Sequence, residues 1–399
     1  MTERDQITAL LREADSHNQA GRHQAMRACF EAAAALGSPT ARHNLAICLA
    51  GGVGGPVDRP GAQALAQALN DEGDAEGRRM LAVAIASGWR DAPDFSGAVA
   101  LREQHARLGD PLAQLETALL LAADSPDNPL IEKRFRATAD ANIHVARAAL
   151  ARWLLEHEPG SPDIDVQLGA LEAAKVFIAR RLRAVQQAGG HRPHSGPGGE
   201  TVLVPQINAR KVAGAVPAVI ADYAFTRSLI HLRPAQIFLP ANGGLGAHPH
   251  HKSLSATLHL PHQDIVLHWL ERRMAQLAGL DWGRGERATA IAYRPGEEYL
   301  PHVDYFSSSD GDAAIANLER YGQRIRTVLV TLHDDFIGGA TCFPRFDARW
   351  RGAIGDALVF DNVSPDGSPL PLSLHAGEPV SDGLKMIASV WYREKPFLD

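Results

Sequence analysis

A repeat of fixed length constrains this chain more than any other feature of its sequence. "GSPTARHNLA" begins at Gly37, "GDAEGRRMLA" at Gly73 and "GDPLAQLETA" at Gly109, a spacing of 36 residues each time, and a weaker copy, "ANIHVARAAL", starts at Ala141. The surrounding residues are mostly alanine, leucine and arginine in helical periodicity with almost no β-branched runs, so the segment reads as α-helical. A unit of this length cannot bury its apolar face alone, and stacking such units builds a solenoid. Small alanines permit close helix packing.

The pattern of a helix, a glycine turn such as "GGVGGPVD" and a second helix "GAQALAQALNDEG" resembles Sel1-like repeats, relatives of the tetratricopeptide repeat, over about residues 20–155. The resemblance implies an α-helical solenoid, assigned to residues 1–158, with an extended surface on which a protein or peptide can be recruited. After "EHEPGSPD", the run "VQLGALEAAKVFIARRLRAVQQ" predicts one further helix. The glycine- and proline-rich "AGGHRPHSGPGGE", Ala188 to Glu200, reads as a linker. Residues 159–200 are therefore assigned to a helix and linker, and 201–399 to a second domain.

Two domains suit a chain of 399 residues. The apolar fraction of 45% and charged fraction of 22% are those of a folded soluble protein, and a net charge of -6 gives no electrostatic reason to expect nucleic acid. The amino terminus, "MTERDQITALLREADSHNQAGR", lacks the apolar core of a secretory signal, and no later run approaches about 18 apolar residues. A cytoplasmic protein without a membrane segment is expected. Cys29, Cys48 and Cys342 are odd in number and far apart, which predicts neither a disulfide framework nor a zinc knuckle.

Beyond the linker the character changes. "DIVLHWLERRMAQLAGL" from Asp264 predicts an amphipathic helix, followed by short strand-like runs: "RATAIAYR", "YLPHVDYF", "RIRTVLVTLH", "ATCFP", "DALVFDN", "SLHAGEPV" and "KMIASVWYR". Short strands punctuated by Gly, Pro and Asp predict a sandwich or jelly roll rather than a parallel sheet with crossover helices.

Within "YRPGEEYLPHVDYF", His302 and Asp304 stand two apart. On a strand that spacing puts an imidazole and a carboxylate on one face. His375, in another strand-like segment, supplies a third ligand, and two imidazoles with one carboxylate make the facial triad of non-haem Fe(II) oxygenases. Zinc can use the same set with a bound water as nucleophile, so ligand type alone leaves the metal open. Lys385 opens an apolar strand, where an ammonium is costly to bury unless an anion accompanies it; an edge lysine reaching solvent is the alternative.

Taken together, "YRPGEEYLPHVDYF", "GQRIRTVLVTL", "GGATCFP", "GDALVFDN" and "LHAGEPVSDGLKMIASVWYRE" resemble the catalytic domain of prolyl 4-hydroxylases, within the Fe(II)- and 2-oxoglutarate-dependent dioxygenases, over about residues 286–394. The resemblance implies a double-stranded β-helix (jelly roll) with flanking helices and a catalytic set of His302, Asp304, His375 and Lys385, the first three as iron ligands. It implies that Lys385 pairs with the distal carboxylate of 2-oxoglutarate, assisted by the hydroxyls of Tyr293 and Thr341, that Trp391 joins this cofactor-binding set as a wall of the pocket, and that Tyr299 and Arg324 contact substrate. The implied reaction consumes O2 and 2-oxoglutarate, hydroxylates a C–H bond of a prolyl residue in a peptide or protein, and releases succinate and CO2. Ascorbate is left open as an accessory reductant.

The chain departs from the family at Ala340, where related sequences carry glutamate, and in "SPDGSPLPLS" before His375; both bear on which substrate approaches the metal. Three rival readings remain: a zinc hydrolase on the same ligands, a repeat scaffold whose oxygenase domain has lost turnover, and an oxygenase acting on a small molecule. "HPHHK", His248 to Lys252, and "HRPHSG" read as solvated loops rather than metal sites, and Cys342 as a strand residue rather than a nucleophile.

Overall fold

The computed structural model describes all residues except 1, 190–199, 236, 240–243, 247–252, 259–261, 308–310 and 398–399. Most of the expected linker and both histidine-rich loops therefore lie outside the described residues. The first part is helical: α1 (Glu3–Gln19), α2 (His23–Ala35), α3 (Pro39–Gly51), α4 (Arg59–Asp71), α5 (Ala75–Ser87), α6 (Phe95–Arg107), α7 (Pro111–Asp124), α8 (Leu130–Asp140), α9 (His144–His157), α10 (Asp163–Ala173) and α11 (Ile178–Gln187). Contacts divide the chain into two compact units, Met1–Ala118 with Leu260–His268, and Leu119–His259 with Trp269–Asp399.

In the first unit the sequence period becomes a structural one, because α3, α5 and α7 start 36 residues apart, as do α4 and α6. The turn glycines Gly37, Gly73 and Gly109 all take φ between +81° and +90°, a region that side chains disfavour. The next residue caps the following helix: Ser38, Asp74 and Asp110 accept from the backbone N–H of Ala41, Gly77 and Ala113 at 3.2, 2.7 and 3.0 Å. Asp58 and Asp94 cap the alternate helices through Gly61 and Gly97 at 2.9 and 2.8 Å. Each cap stabilises its helix by about 1 kcal/mol, so the repeat encodes its own helix starts. Between helices the core is largely Ala46, Ala62, Ala66 and Ala84 around Met80 and Leu81.

The second unit corrects one expectation. The single helix predicted over 166–187 is two, α10 and α11, because Lys175 takes φ +55° and the chain closes a helix-terminating motif, Lys175 N–H to Glu172 O and Val176 N–H to Leu171 O, both at 2.9 Å. The remaining elements are β1 (Glu200–Val204), β2 (Ala209–Val212), α12 (Ala218–Leu229), β3 (Arg233–Pro234), β4 (Ile237–Leu239), β5 (Gly244–Gly246), β6 (Leu254–Thr257), α13 (Ile265–Ala278), β7 (Thr289–Tyr293), β8 (Tyr299–His302), α14 (Asp312–Tyr321), β9 (Arg324–His333), β10 (Phe336–Gly338), β11 (Thr341–Phe343), β12 (Ala348–Trp350), β13 (Ala357–Asp361), β14 (His375–Gly377), β15 (Val380–Gly383) and β16 (Lys385–Arg393).

An eight-stranded sheet runs β1-β2-β13-β9-β16-β7-β6-β3 and a four-stranded one β12-β11-β14-β8, every recorded pairing in both being antiparallel. The core of this unit draws on both sheets, with Phe343 and Trp350 from the smaller and Leu358, Phe360 and Ile387 from the larger. Strands β9 and β16, the long apolar runs of the sequence, lie side by side in the larger sheet and are buried nearly throughout.

Helices are tied to this sheet by buried charge. Arg152 of α9 donates to Asp222 of α12 at 2.6 Å, while Arg181 of α11 donates to Asp222 at 3.3 Å and to Asp334, just past β9, at 2.8 Å. Each guanidinium is offset by a carboxylate, which such burial demands. Among the described residues no helix is long and apolar enough to cross a membrane.

Candidate active site

The smaller sheet brings two histidines together by register. His302 ends β8 and pairs directly with His375 at the start of β14, so their rings lie with centroids 4.3 Å apart. Asp304 lies not on the strand, as the two-residue spacing predicts, but in a bend just beyond it. The bend still delivers its carboxylate between the rings, with Oδ1 3.6 Å from His302 Nε2 and Oδ2 3.6 Å from His375 Nε2. One ligand atom from each of the three lies within 4.8 Å of the others.

The hydrogen bonds decide which nitrogen faces inward. His302 Nδ1 bonds the carbonyl of Leu300 and His375 Nδ1 that of Ser373, both at 2.9 Å. A carbonyl only accepts, so each Nδ1 carries a proton and each Nε2 is the nitrogen turned toward Asp304. Two imidazoles so oriented and one carboxylate fit a divalent transition metal with coordination positions to spare. Tyr299 stacks on His302 at 3.6 Å, and Phe360 meets His375 edge-on at 4.8 Å, which fixes both ring planes.

Asp304 is supported by residues the sequence motifs contained but did not single out. Thr327 of β9 donates its hydroxyl to Asp304 Oδ2 at 2.6 Å, and Asn362 donates in turn to Thr327 at 2.8 Å. Burial alone would raise the Asp304 carboxyl; His375, His302, the Thr327 hydroxyl and Arg324 outweigh it and hold the group below the usual carboxylate range. A hydroxyl donor 23 residues away, on a strand of the other sheet, leaves no local pattern, so only the fold could reveal it.

Lys385 opens β16 opposite Tyr293 of β7 and is 4% exposed. Its ammonium donates to Thr341 Oγ1 at 3.4 Å and stands 5.2 Å from the Tyr293 ring centre. Burial pushes it down to about 8, only partly offset by Cys342 and Glu378. Among the described residues no carboxylate forms an ion pair with it. The edge-lysine alternative is thereby removed, and the expected trio of Lys385, Tyr293 and Thr341 is assembled in one cavity with His302, Asp304 and His375.

Tyr299 and Trp391 line the same cavity. Burial, with Asp304 nearby, pushes the Tyr299 phenol up to about 12. Arg324 is less free than a substrate contact would suggest, since it forms a two-pronged pair with Glu286 at 2.6 and 2.7 Å and lies between the rings of Phe306 and Trp391 at 4.7 and 4.5 Å. Cys342 is half-buried and burial raises its thiol, in keeping with a strand residue.

Residues 288–393, which hold the triad and Lys385, match the family model described as the 2OG-Fe(II) oxygenase superfamily. The chain is 39% identical over 113 residues to a putative prolyl 4-hydroxylase of Acanthamoeba polyphaga mimivirus, covering 28% of this chain and 46% of that protein. It is 33% identical over 150 residues to prolyl 4-hydroxylase 1 of Arabidopsis thaliana, covering 34% and 51%. The chain thus spans about half the length of the curated relatives it matches. Among solved structures, a viral collagen prolyl hydroxylase from Paramecium Bursaria Chlorella virus-1 aligns at 21% identity and a TM-score of 0.35, covering 46% of this chain and 94% of that one. A Sel1 repeat protein from Oxalobacter formigenes aligns at 18% identity and a TM-score of 0.35, covering 41% and 49%. At these scores neither structure bears on function.

Proposed function

We propose that the chain is an Fe(II)- and 2-oxoglutarate-dependent dioxygenase that hydroxylates a prolyl residue in a peptide or protein, with release of succinate and CO2. His302, Asp304 and His375 hold the iron, and Lys385, with the hydroxyls of Thr341 and Tyr293, receives the distal carboxylate of 2-oxoglutarate. Bound iron supplies the redox chemistry by which one oxygen atom of O2 enters succinate and the other the substrate C–H bond. The chain's own residues bind, orient and exclude water. The two backbone-held imidazoles and the Thr327-held carboxylate keep three ligands aimed at one point. Tyr299 and Trp391 wall the cavity at the side where substrate enters, with Arg324 fixed behind them by Glu286. The relatives' names, prolyl 4-hydroxylases, support the choice of proline.

The observation that carries this reading is Lys385. A buried ammonium without a carboxylate partner among the described residues, in the cavity of a two-histidine, one-carboxylate cluster, calls for a ligand with an anionic end set back from the metal. A zinc hydrolase on the same ligands leaves Lys385 and Thr341 unexplained. The helical array, residues 1–158 in this reading, recruits the protein substrate to an oxygenase domain at 201–399, and three free cysteines suit a reducing cytoplasm.

The test is anaerobic loading with Fe(II), then addition of O2 and labelled 2-oxoglutarate, with succinate measured with and without proline-containing peptides. Turnover in the wild type that vanishes in His302→Ala is expected. No succinate from the wild type, or undiminished succinate from the variant, refutes the reading.

A further inference from the structure

The corner at Lys175, where α10 gives way to α11, borders a second cavity of about 660 Å³ that shares no lining residue with the one around the metal ligands. That volume is in the range of small-molecule sites. Phe177, Arg180, Arg181 and Ala184 line it from the start and one face of α11, at the three- and four-residue intervals that bring helix side chains together. Gly383 and Leu384, where β15 turns into β16, and Asp335, just past β9, line it too; Leu384 N–H donates to the Asp335 carbonyl at 3.0 Å and joins the two turns.

This cavity offers an aromatic surface and uncommitted positive charge. Phe225 and His333 are buried and stacked with ring centroids 4.4 Å apart, and Phe177 completes the cluster at 5.9 Å from each, itself 52% exposed. Burial, with Arg181 nearby, pushes the His333 imidazole down to about 3, so this ring adds no charge. Arg181 is taken by Asp222 and Asp334, and Arg183 by Glu172 and Asp165. Arg180, by contrast, is 79% exposed and stands 3.8 Å from Asp335, too far for a hydrogen bond, and Lys175 has no ion-pair partner among the described residues. Set against the one carboxylate of Asp335, the two cations leave a net positive wall. In addition, α11 begins without a side-chain cap, so the amides of its first turn add partial positive charge beside them.

We infer that this cavity binds a small aromatic acid, its ring against Phe177 and its carboxylate or phosphate at the first turn of α11 between Lys175 and Arg180. A flat ring extends the cluster of Phe177, Phe225 and His333 outward, and the acid group meets donors that the fold leaves uncommitted. A ring without the acid, or an acid without the ring, uses half of the site. The ligand is not 2-oxoglutarate, which has no ring, and the inference stands apart from the metal cluster.

The test is isothermal titration calorimetry on the full chain loaded with Mn(II) and 2-oxoglutarate, which keeps the metal site filled. Uptake of 2-oxoglutarate is measured first, so its failure counts against the oxygenase reading alone, and the titrations then proceed without it. Indole-3-acetate and adenosine monophosphate join a ring to a carboxylate and to a phosphate; acetate, inorganic phosphate and indole carry one part each. At least one of the two ring-bearing acids should bind about tenfold or more tightly than its parts, and the one that does so tells carboxylate from phosphate. Phe177→Ala should weaken that ligand about threefold to tenfold, the worth of an aromatic pair, while Phe177→Tyr keeps it. Lys175→Ala with Arg180→Ala should weaken it about tenfold, and both positions are exposed, so an unchanged melting temperature is expected of the double variant. Binding of neither acid, binding no tighter than that of the separate parts, or affinity unchanged in Phe177→Ala or in the double variant overturns the inference.

Discussion

Replacing Lys385 by methionine should make the metal-free protein more stable while removing its hold on 2-oxoglutarate. Burial moves the ammonium from an ordinary value of 10.5 to about 8, which corresponds to about 3 kcal/mol against the charged form. The folded chain therefore holds this proton less tightly than the unfolded one. Between pH 8 and 10.5 the unfolded state binds more protons, so stability rises with pH across that window, and the penalty is present in full below it. Methionine fills a similar volume without the charge and gives up one long hydrogen bond to Thr341. The expected gain at pH 7 is about 2–3 kcal/mol, or about 4–10 °C in the melting temperature of a domain this size, and it should shrink towards zero at pH 10.5. The assay is thermal and guanidinium denaturation of metal-free wild type and variant at pH 7 and pH 10, following the transition that Mn(II) with 2-oxoglutarate shifts in the wild type. The same ligand should shift nothing in the variant. A variant less stable at pH 7, or a gain of the same size at pH 10, refutes the reasoning. In the wild type, KM for 2-oxoglutarate should climb as pH rises above about 8, because the ammonium that receives it is being lost.

Thr327→Val should weaken metal binding about 10- to 100-fold by removing the hydroxyl that holds Asp304; a chelator competition titration measures this, with unchanged affinity the contrary result. Asp222→Ala leaves Arg152 and Arg181 without their shared buried carboxylate and should cost about 3–5 kcal/mol in denaturant unfolding; a loss under about 1 kcal/mol would show that water reaches the cluster. Gly383→Ala places a side chain where φ is +78° and where its Cβ would stand 2.2 Å from the Asp335 carbonyl oxygen. Strain of about 1–3 kcal/mol is expected there, together with a raised KM for 2-oxoglutarate, since Lys385 follows two residues later.

The helical array was legible because its signal is local. A glycine, a cap and an alanine-rich helix recur at one interval, and the structure repeats at that interval. β9 and β16 were equally plain, being apolar runs bounded by polar turns, and their observed ends are those of "RIRTVLVTLH" and "KMIASVWYR". The break at Lys175 was not, because a lysine in the left-handed region carries no signature and the apolar pattern runs through it. Strands β1 and β2 carry no such signal either; each is short, and they join the larger sheet through pairing with a strand about 150 residues later. At the site, ligand types and spacing put the triad forward, while Lys385 took its role from the resemblance to prolyl 4-hydroxylases. The Thr327–Asn362 support and the Glu286 clamp on Arg324 depend on side chains from distant strands meeting, which spacing along the chain does not encode.

The charge cluster of Arg152, Arg181, Asp222 and Asp334 bears on where the second folded unit begins. A chain shortened to start at residue 201 would keep both carboxylates and discard both guanidiniums and the helices that cover them. The stretch with recognisable chemistry is thus shorter than the piece able to stand by itself, and its footing lies in helices that carry no oxygenase motif at all.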